Sequence, residues 1–266
     1  MSVVKDARRI VIKVGTSTLA HAGGHLNLRR IGTLTRVLAD LRNSGREVLL
    51  VTSGAIGVGA GQMGLTERPH DTVGKQAAAA VGQSALMYTY DRQFAEYGQT
   101  TAQILLTHDD VDHEVRRGNV TNTLERLLEY HVLPIINEND TVATEEIGFG
   151  DNDTLSAMVA CLVKADLLVL LSDIDGLYDR DPHKFSDAKL LPRVRACDDT
   201  LMALGGDAGS SLGTGGMHTK LVAARMAGQA GIPTVIMNGA YPERLYDLFD
   251  GQPIGTLFES EDTSNA

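Results

Sequence analysis

The feature that most constrains this chain is a series of short, unbroken apolar runs separated by stretches of helical periodicity. The runs fall at residues 10–14, 48–52, 102–106, 132–136, 167–171, 233–237 and 256–258. Apolar residues follow one another in them without alternation, which implies strands buried on both faces. Between them lie helical patterns. Leu28, Ile31, Leu34, Leu38 and Leu41 form a stripe closed by Gly45, and an alanine-rich stretch spans about 75–97. Asn122, with Glu125 three residues on, has the pattern of a capping box opening a helix that carries Leu124, Leu127 and Leu128. Further helices are expected over about 154–163 and 218–230, the latter stopped by Gly231, and a short one follows the strand at 233–237. Strands alternating with helices pair in parallel through right-handed crossovers. The expected fold class is α/β, a three-layer α/β/α sandwich around a mainly parallel central sheet. No repeat or linker divides the chain, so one domain is expected over 1–258, with a polar tail at 259–266.

Charge narrows the partners. Lys and Arg number 24 against 34 Asp and Glu, a net charge of −10, which disfavours nucleic acid and anionic membrane surfaces. Cys161 and Cys197 are the two cysteines, too few for a disulfide scaffold or a four-thiolate zinc site. The longest apolar stretch, 155–171, is interrupted by Lys164 and Asp166 and reads as helix, turn and strand rather than a membrane span. The first nine residues reach charges before any apolar core, unlike a secretory leader. A soluble, acidic, cytoplasmic protein is expected.

In sheets of this kind ligands bind beyond the carboxyl ends of the strands. Four predicted strands end in small or polar residues there: Lys13-Val-Gly-Thr-Ser17, Thr52-Ser-Gly-Ala55, Asn137-Glu-Asn-Asp140 and Ser172-Asp173. Lys13 stands inside an apolar strand, two residues before Gly15. It could be an edge lysine whose stem covers apolar surface, or a cation aimed at an anion site beside a glycine-led turn. Leu212-Gly-Thr-Gly-Gly-Met-His-Thr-Lys220 is the most informative stretch. Its glycines let backbone approach a ligand, and the helix start that follows is a natural phosphate cradle. Lys220 in that first turn opposes the helix dipole, a placement an anion would offset. A flexible surface turn is the plainer alternative. Neither the P-loop nor the dinucleotide fingerprint occurs. Asp153 could simply cap the helix after Gly150-Asp-Asn-Asp153, but capping does not explain Asp151, Asn152 and Asp153 together. An acid held between Lys13 and Lys220 would fix both amines. His108-Asp-Asp-Val-Asp-His113 lacks a geometry specific to any metal and reads as a solvated acidic connector.

With these segments in place, the sequence closely resembles the amino acid kinase family over roughly residues 8–258, and within it the glutamate-phosphorylating branch. The pieces are Val11-Ile-Lys-Val-Gly15, Val51-Thr-Ser-Gly-Ala-Ile56, Ile136-Asn-Glu-Asn-Asp140, Gly150-Asp-Asn-Asp153, Leu171-Ser-Asp-Ile-Asp-Gly-Leu-Tyr178 and Gly213-Thr-Gly-Gly-Met-x-Thr-Lys220, in order and compatibly spaced. The resemblance implies ATP-dependent phosphorylation of the side-chain carboxylate of L-glutamate to L-glutamyl 5-phosphate, the first step of proline biosynthesis. It implies that Lys13 and the loop Thr214, Gly215, Gly216, Met217, His218, Thr219 and Lys220 hold the ATP phosphates. Ser172, where the family often has threonine, and Asp173 would lie by the nucleotide. Ser53, Asp140 and Asn152 would bind glutamate, Asp140 through the α-ammonium. Asp153 would organise Lys13 and Lys220, the three forming the catalytic group. No protein metal site is implied, the Mg²⁺ being held mainly by the ATP phosphates.

The resemblance further implies an amino-acid half at about 1–165 and a nucleotide half at about 166–258. It also implies homo-oligomers (dimer or tetramer), inhibition by proline and hand-over of product to glutamyl phosphate reductase. The family often carries a C-terminal RNA-binding-like PUA domain, which this sequence is expected to lack. The rival readings are a non-catalytic sensor of ATP or an amino acid, and other family members such as acetylglutamate kinase or aspartokinase.

A carboxylate nucleophile needs no general base, because its ordinary pKa of about 4.3 leaves it ionised at neutral pH. The barrier is repulsion between two anions, so positioning and positive charge must carry catalysis.

Overall fold

The computed structural model describes residues 2–21, 23–143, 152–182, 184–195, 197, 201–202 and 216–260. The apolar runs form one eight-stranded sheet. Its strands in chain order are β1 (Arg9–Val14), β2 (Glu47–Val51), β3 (Thr101–Leu106), β4 (Leu133–Glu138), β5 (Leu167–Ser172), β6 (Arg193–Val194), β7 (Thr234–Asn238) and β8 (Thr256–Phe258). Their spatial order is β3-β4-β2-β1-β5-β7-β8-β6, and β3, β4, β2, β1, β5 and β7 are mutually parallel. Only β8 runs antiparallel to β7, with β6 parallel to β8 at the edge. The mainly parallel α/β sandwich expected from the sequence is what forms; the two-residue β6 was not foreseen.

Residues of each strand alternate between two separate cores. Ile10, Ile12, Val14, Val48, Leu50, Val169, Leu171 and Val235 face one; Val11, Leu49, Val51, Leu168, Leu170 and Ile236 face the other. The first face is covered by α1 (Ser2–Asp6), α2 (Thr16–Leu19), α3 (Leu28–Asn43), α4 (Ala55–Gln62), α5 (Thr72–Ala95) and α10 (Arg244–Phe249). The second is covered by α6 (His108–Asp112), α7 (Glu114–Glu129), α8 (Asn152–Leu162) and α9 (Met217–Gln229). No helix among the described residues is long and apolar enough to cross a membrane.

Three local expectations are corrected. Asn122 lies inside α7, which begins eight residues earlier, so the apparent capping box at Asn122 and Glu125 caps nothing. Residues 108–112 are a helix rather than a connector; Asp110 accepts from the Thr107 backbone N–H and hydroxyl in a true capping box. Helix α4 was not anticipated, because three glycines in Ala55–Gln62 lower its intrinsic propensity. Packing against α5 explains Gly59, and a close approach to the Gly23–Gly24 backbone explains Gly61. A Cβ on Gly59 would lie 1.8 Å from the Ala78 carbonyl oxygen, and one on Gly82 1.8 Å from that of Ala55. The two helices touch backbone to backbone. Gly54, with φ +98°, supplies the left-handed turn from β2 into α4.

Candidate active site

Strands β4, β2, β1 and β5 are adjacent and parallel, so their carboxyl ends share one rim. Lys13, near the end of β1, is flanked by β2 and β5 and is therefore not an edge lysine. It has the same parity as Val11, which directs its side chain to the face of α8 and α9. Asp153, second residue of α8, meets it there: its Oδ1 lies 2.6 Å from Lys13 Nζ. Lys220, in the first turn of α9, places Nζ 3.1 Å from Asp153 Oδ2, and the Thr219 hydroxyl donates to the same oxygen at 3.0 Å. Lys13 and Lys220 are each 5% exposed and Asp153 is fully buried. The same hydroxyl lies 2.9 Å from the Gly216 carbonyl, so its single hydrogen is shared between that oxygen and Asp153. Asp153 lies inside α8 with its carboxylate engaged by both amines, so the capping role considered for it does not hold.

The residue before it reaches the other way. Asn152 Nδ2 lies 2.6 Å from the Thr52 carbonyl, 2.8 Å from Asn137 Oδ1 and 2.8 Å from Ser53 Oγ. An amide NH₂ has two hydrogens, and the Thr52 carbonyl and Asn137 Oδ1 can only accept. Those two take the hydrogens. The Ser53 hydroxyl shares one of these hydrogens and keeps its own to donate, and Asn152 Oδ1 takes part in none of the three contacts.

Asp140 follows β4 and is half-buried. Its pKa is pushed up to about 6, first by burial and then by the nearby Glu138 carboxylate, against a smaller opposing effect of Arg68. Such a carboxylate gains from an arriving ammonium group.

Ser172 is buried at the end of β5; its hydroxyl donates to Asp173 Oδ1 at 3.1 Å and its carbonyl accepts from Gly239. Asp173 is exposed, as is His218, while Met217 packs against the second core. Thr214 and Gly215 lie outside the described residues, as does Asp151. The structure thus joins Lys13, Asp153, Thr219 and Lys220 in one cluster and Ser53 and Asn152 in another. The two clusters are linked by consecutive residues of α8.

Sequence reasoning missed Gln83 and Tyr90, and it placed Thr52 and Asn137 at the rim without foreseeing that they tie α5 to the site. The Thr52 hydroxyl lies 2.9 Å from Tyr90 OH, and Asn137 Nδ2 donates to Gln83 Oε1 at 2.8 Å. The available signal was Gln83 and Tyr90 on a face of α5 otherwise lined by Ala78, Ala79, Leu86 and Phe94.

Mg²⁺ is bound through one or two carboxylates together with phosphates and water. Asp153 is taken up by two ammonium groups, and the described residues contain no group of three or more His, Cys, Asp or Glu able to hold a metal.

A buried pair of lysines organised by one aspartate, at the carboxyl edge of a parallel sheet, defines a site built for anionic groups. The chain belongs to the amino acid kinase family, whose sequence model matches residues 8–238. It is 54% identical over 257 residues to the glutamate 5-kinase of Clostridium tetani, covering 97% of this chain and 96% of that one. It is 52% identical over 258 residues to the glutamate 5-kinase of Symbiobacterium thermophilum, covering 97% and 98%. Among solved structures, a UMP kinase from Bacillus anthracis superposes with a TM-score of 0.65 at 16% identity, over 96% of this chain and 97% of that one. The last likeness concerns the fold alone.

Proposed function

We propose that this chain is a kinase that transfers the γ-phosphoryl group of ATP to the side-chain carboxylate of L-glutamate, giving L-glutamyl 5-phosphate for proline synthesis. Glutamate 5-kinase relatives at about half identity over nearly the whole chain support the reaction. The observation that carries the mechanism is the adjacency of Asn152 and Asp153: one engages the Ser53 side, the other spans Lys13 and Lys220.

One carboxylate oxygen of glutamate forms the new bond to Pγ while the bond from Pγ to the β–γ bridging oxygen breaks. ADP leaves with that electron pair, and no proton need move. Lys13 and Lys220 offset the charge on the transferring group from positions Asp153 holds fixed before substrate arrives. Gly216 and the start of α9 complete the phosphate side, together with Thr214 and Gly215, while Ser172 and Asp173 serve the nucleotide. On the amino-acid side, Asn152 Oδ1 accepts, the Ser53 hydroxyl donates to a carboxylate, and Asp140 receives the α-ammonium. Mg²⁺, riding on the ATP phosphates, supplies further charge neutralisation. Residues up to about 165 form the amino-acid half and 166–258 the nucleotide half. A cytoplasmic homo-oligomer, inhibited by proline and passing its product to glutamyl phosphate reductase, completes the reading.

Hydroxylamine trapping of the acyl phosphate tests it. Glutamate, aspartate and N-acetylglutamate are offered separately with MgATP, and hydroxamate should form with glutamate. Binding of ATP and glutamate by calorimetry with no ADP released would replace the enzyme by a sensor.

A further inference from the structure

Gln83 is 7% exposed and sits on the face of α5 that packs against the sheet. Its environment there is set by the close contact of α4 and α5, where Gly82 meets the Ala55 carbonyl. The hydrogen bonds fix which atom of each amide is which. The Glu138 backbone N–H donates to Asn137 Oδ1 at 2.9 Å, so Asn137 must turn Nδ2 toward α5. The atom it meets on Gln83 must then be an acceptor, Oε1, at 2.8 Å. Gln83 Nε2 is left buried with no hydrogen-bond partner among the described residues.

An amide kept in such a place at the cost of an unmade donor calls for an explanation, since leucine or methionine would fill the volume without it. The explanation lies along the chain of bonds. Gln83 Oε1 holds Asn137 Nδ2; Asn137 Oδ1 holds Asn152 Nδ2; Asn152 is thereby left with its carbonyl oxygen for the ligand. The chain begins on α5, on one face of the sheet, and ends on α8, on the other.

We propose that Gln83 is a positioning residue for the amino-acid substrate, acting through Asn137 to make Asn152 present its oxygen. The inference rests on the reading of Asn152 as a glutamate-binding residue. Without the Gln83 carbonyl, Asn137 Nδ2 becomes a buried unpaired donor. Its relief requires Asn137 to rotate, and rotation sets its NH₂ against both the Glu138 N–H and Asn152 Nδ2.

The test is steady-state kinetics of Q83L and Q83E, varying glutamate and ATP separately, with a melting curve for each. Q83L is expected to raise the KM for glutamate roughly tenfold, the usual effect of stranding a buried donor, and to leave the KM for ATP within about twofold. In Q83E burial favours the protonated acid, which retains a carbonyl for Asn137. Its KM for glutamate should stay within about threefold of wild type at each pH from mildly acidic to neutral, because a carboxyl oxygen accepts from Asn137 Nδ2 in either protonation state. A Q83L enzyme with unchanged KM for glutamate overturns the proposal. So does one in which kcat and both KM values deteriorate together with the melting temperature, the behaviour of a merely structural residue. Should Q83L not fold, Q83E decides: a KM for glutamate raised about tenfold or more over wild type at the same pH, although the acceptor oxygen is kept, overturns it. Wild-type enzyme without glutamate-dependent hydroxamate would instead refute the kinase reading, and the inference with it.

Discussion

Asp140→Asn should make this protein more stable and a poorer enzyme at once. Asp140 has its pKa raised from 3.8 to about 6 by burial and by Glu138. A carboxyl whose folded-state pKa exceeds its unfolded one favours the fold fully below the unfolded value, and that contribution is lost as pH rises through the folded value. At neutral pH the ionised side chain is therefore a liability. The rise from 3.8 to about 6 sets a ceiling of about 3 kcal/mol, and partial exposure brings the expected gain from Asn to about 1–2 kcal/mol. For a chain of this size that is a rise in Tm of roughly 3–6 °C at pH 7.5. The gain should shrink to about a third at pH 4.5, where the unfolded chain also begins to bind the proton. Losing the charge proposed to meet the α-ammonium should raise the KM for glutamate by roughly 10- to 100-fold. In the wild type the same KM should climb as pH falls through about 6, whereas in Asp140→Asn it should be high and flat from there to pH 8. Differential scanning calorimetry and a pH series of initial rates read both effects. An Asp140→Asn protein that melts lower than wild type, or binds glutamate as well, would show that Asp140 is neither strained nor facing the substrate.

The other predictions concern the charged cluster and the helix contact behind it. Lys13→Ala or Lys220→Ala should lower kcat by about 10²-fold or more, the usual effect of losing a preorganised transition-state contact; near-normal turnover removes that lysine from the chemistry. Asp153→Asn leaves two buried ammonium groups without their shared carboxylate and should cost about 3 kcal/mol or more in urea unfolding besides lowering kcat; an unchanged midpoint would mean the amines are held by other groups. Gly82→Ala places a methyl group against the Ala55 carbonyl and should cost at least about 2 kcal/mol by forcing α4 from α5; wild-type stability would show that this crossing yields freely.

Seven of the eight strands were located by their apolar runs, and in six of them the run reflects burial on both faces; β3, at the sheet edge, buries only Leu106. Helix α4 was not, since its glycines depress local propensity and its reason for existing is a backbone contact with α5 that local pattern does not contain. In the same way α7 starts with Glu114–Arg117 and an exposed Val115, so its first two turns carry no stripe to betray them. Among site residues, Lys13 and Lys220 stood out as cations in places that ordinarily reject them, one inside an apolar strand and one in the first turn of a helix. Gln83 and Tyr90 were hidden for the opposite reason. A single polar residue on a long amphipathic helix is ordinary, and only the fold reveals that both abut strand ends at the site.

The architecture also explains why the two halves of the site need not be aligned by a separate device. Asn152 and Asp153 open one helix, and successive helical residues point about 100° apart. One side chain therefore crosses the rim to the ends of β2 and β4, while the other turns down between β1 and α9. The distance from the Ser53–Asn152 contacts to the Lys13 and Lys220 amines is then fixed by a single peptide unit. Each neighbour guards that distance from a different side: Gln83 and Tyr90 from α5 through Asn137 and Thr52, Thr219 from α9 through the Asp153 carboxylate. A shift of about 1 Å between reacting groups is enough to cost two orders of magnitude in rate. Turnover should therefore respond to substitutions at Gln83, Tyr90 and Thr219, buried or half-buried polar groups that hold Asn137, Thr52 and Asp153.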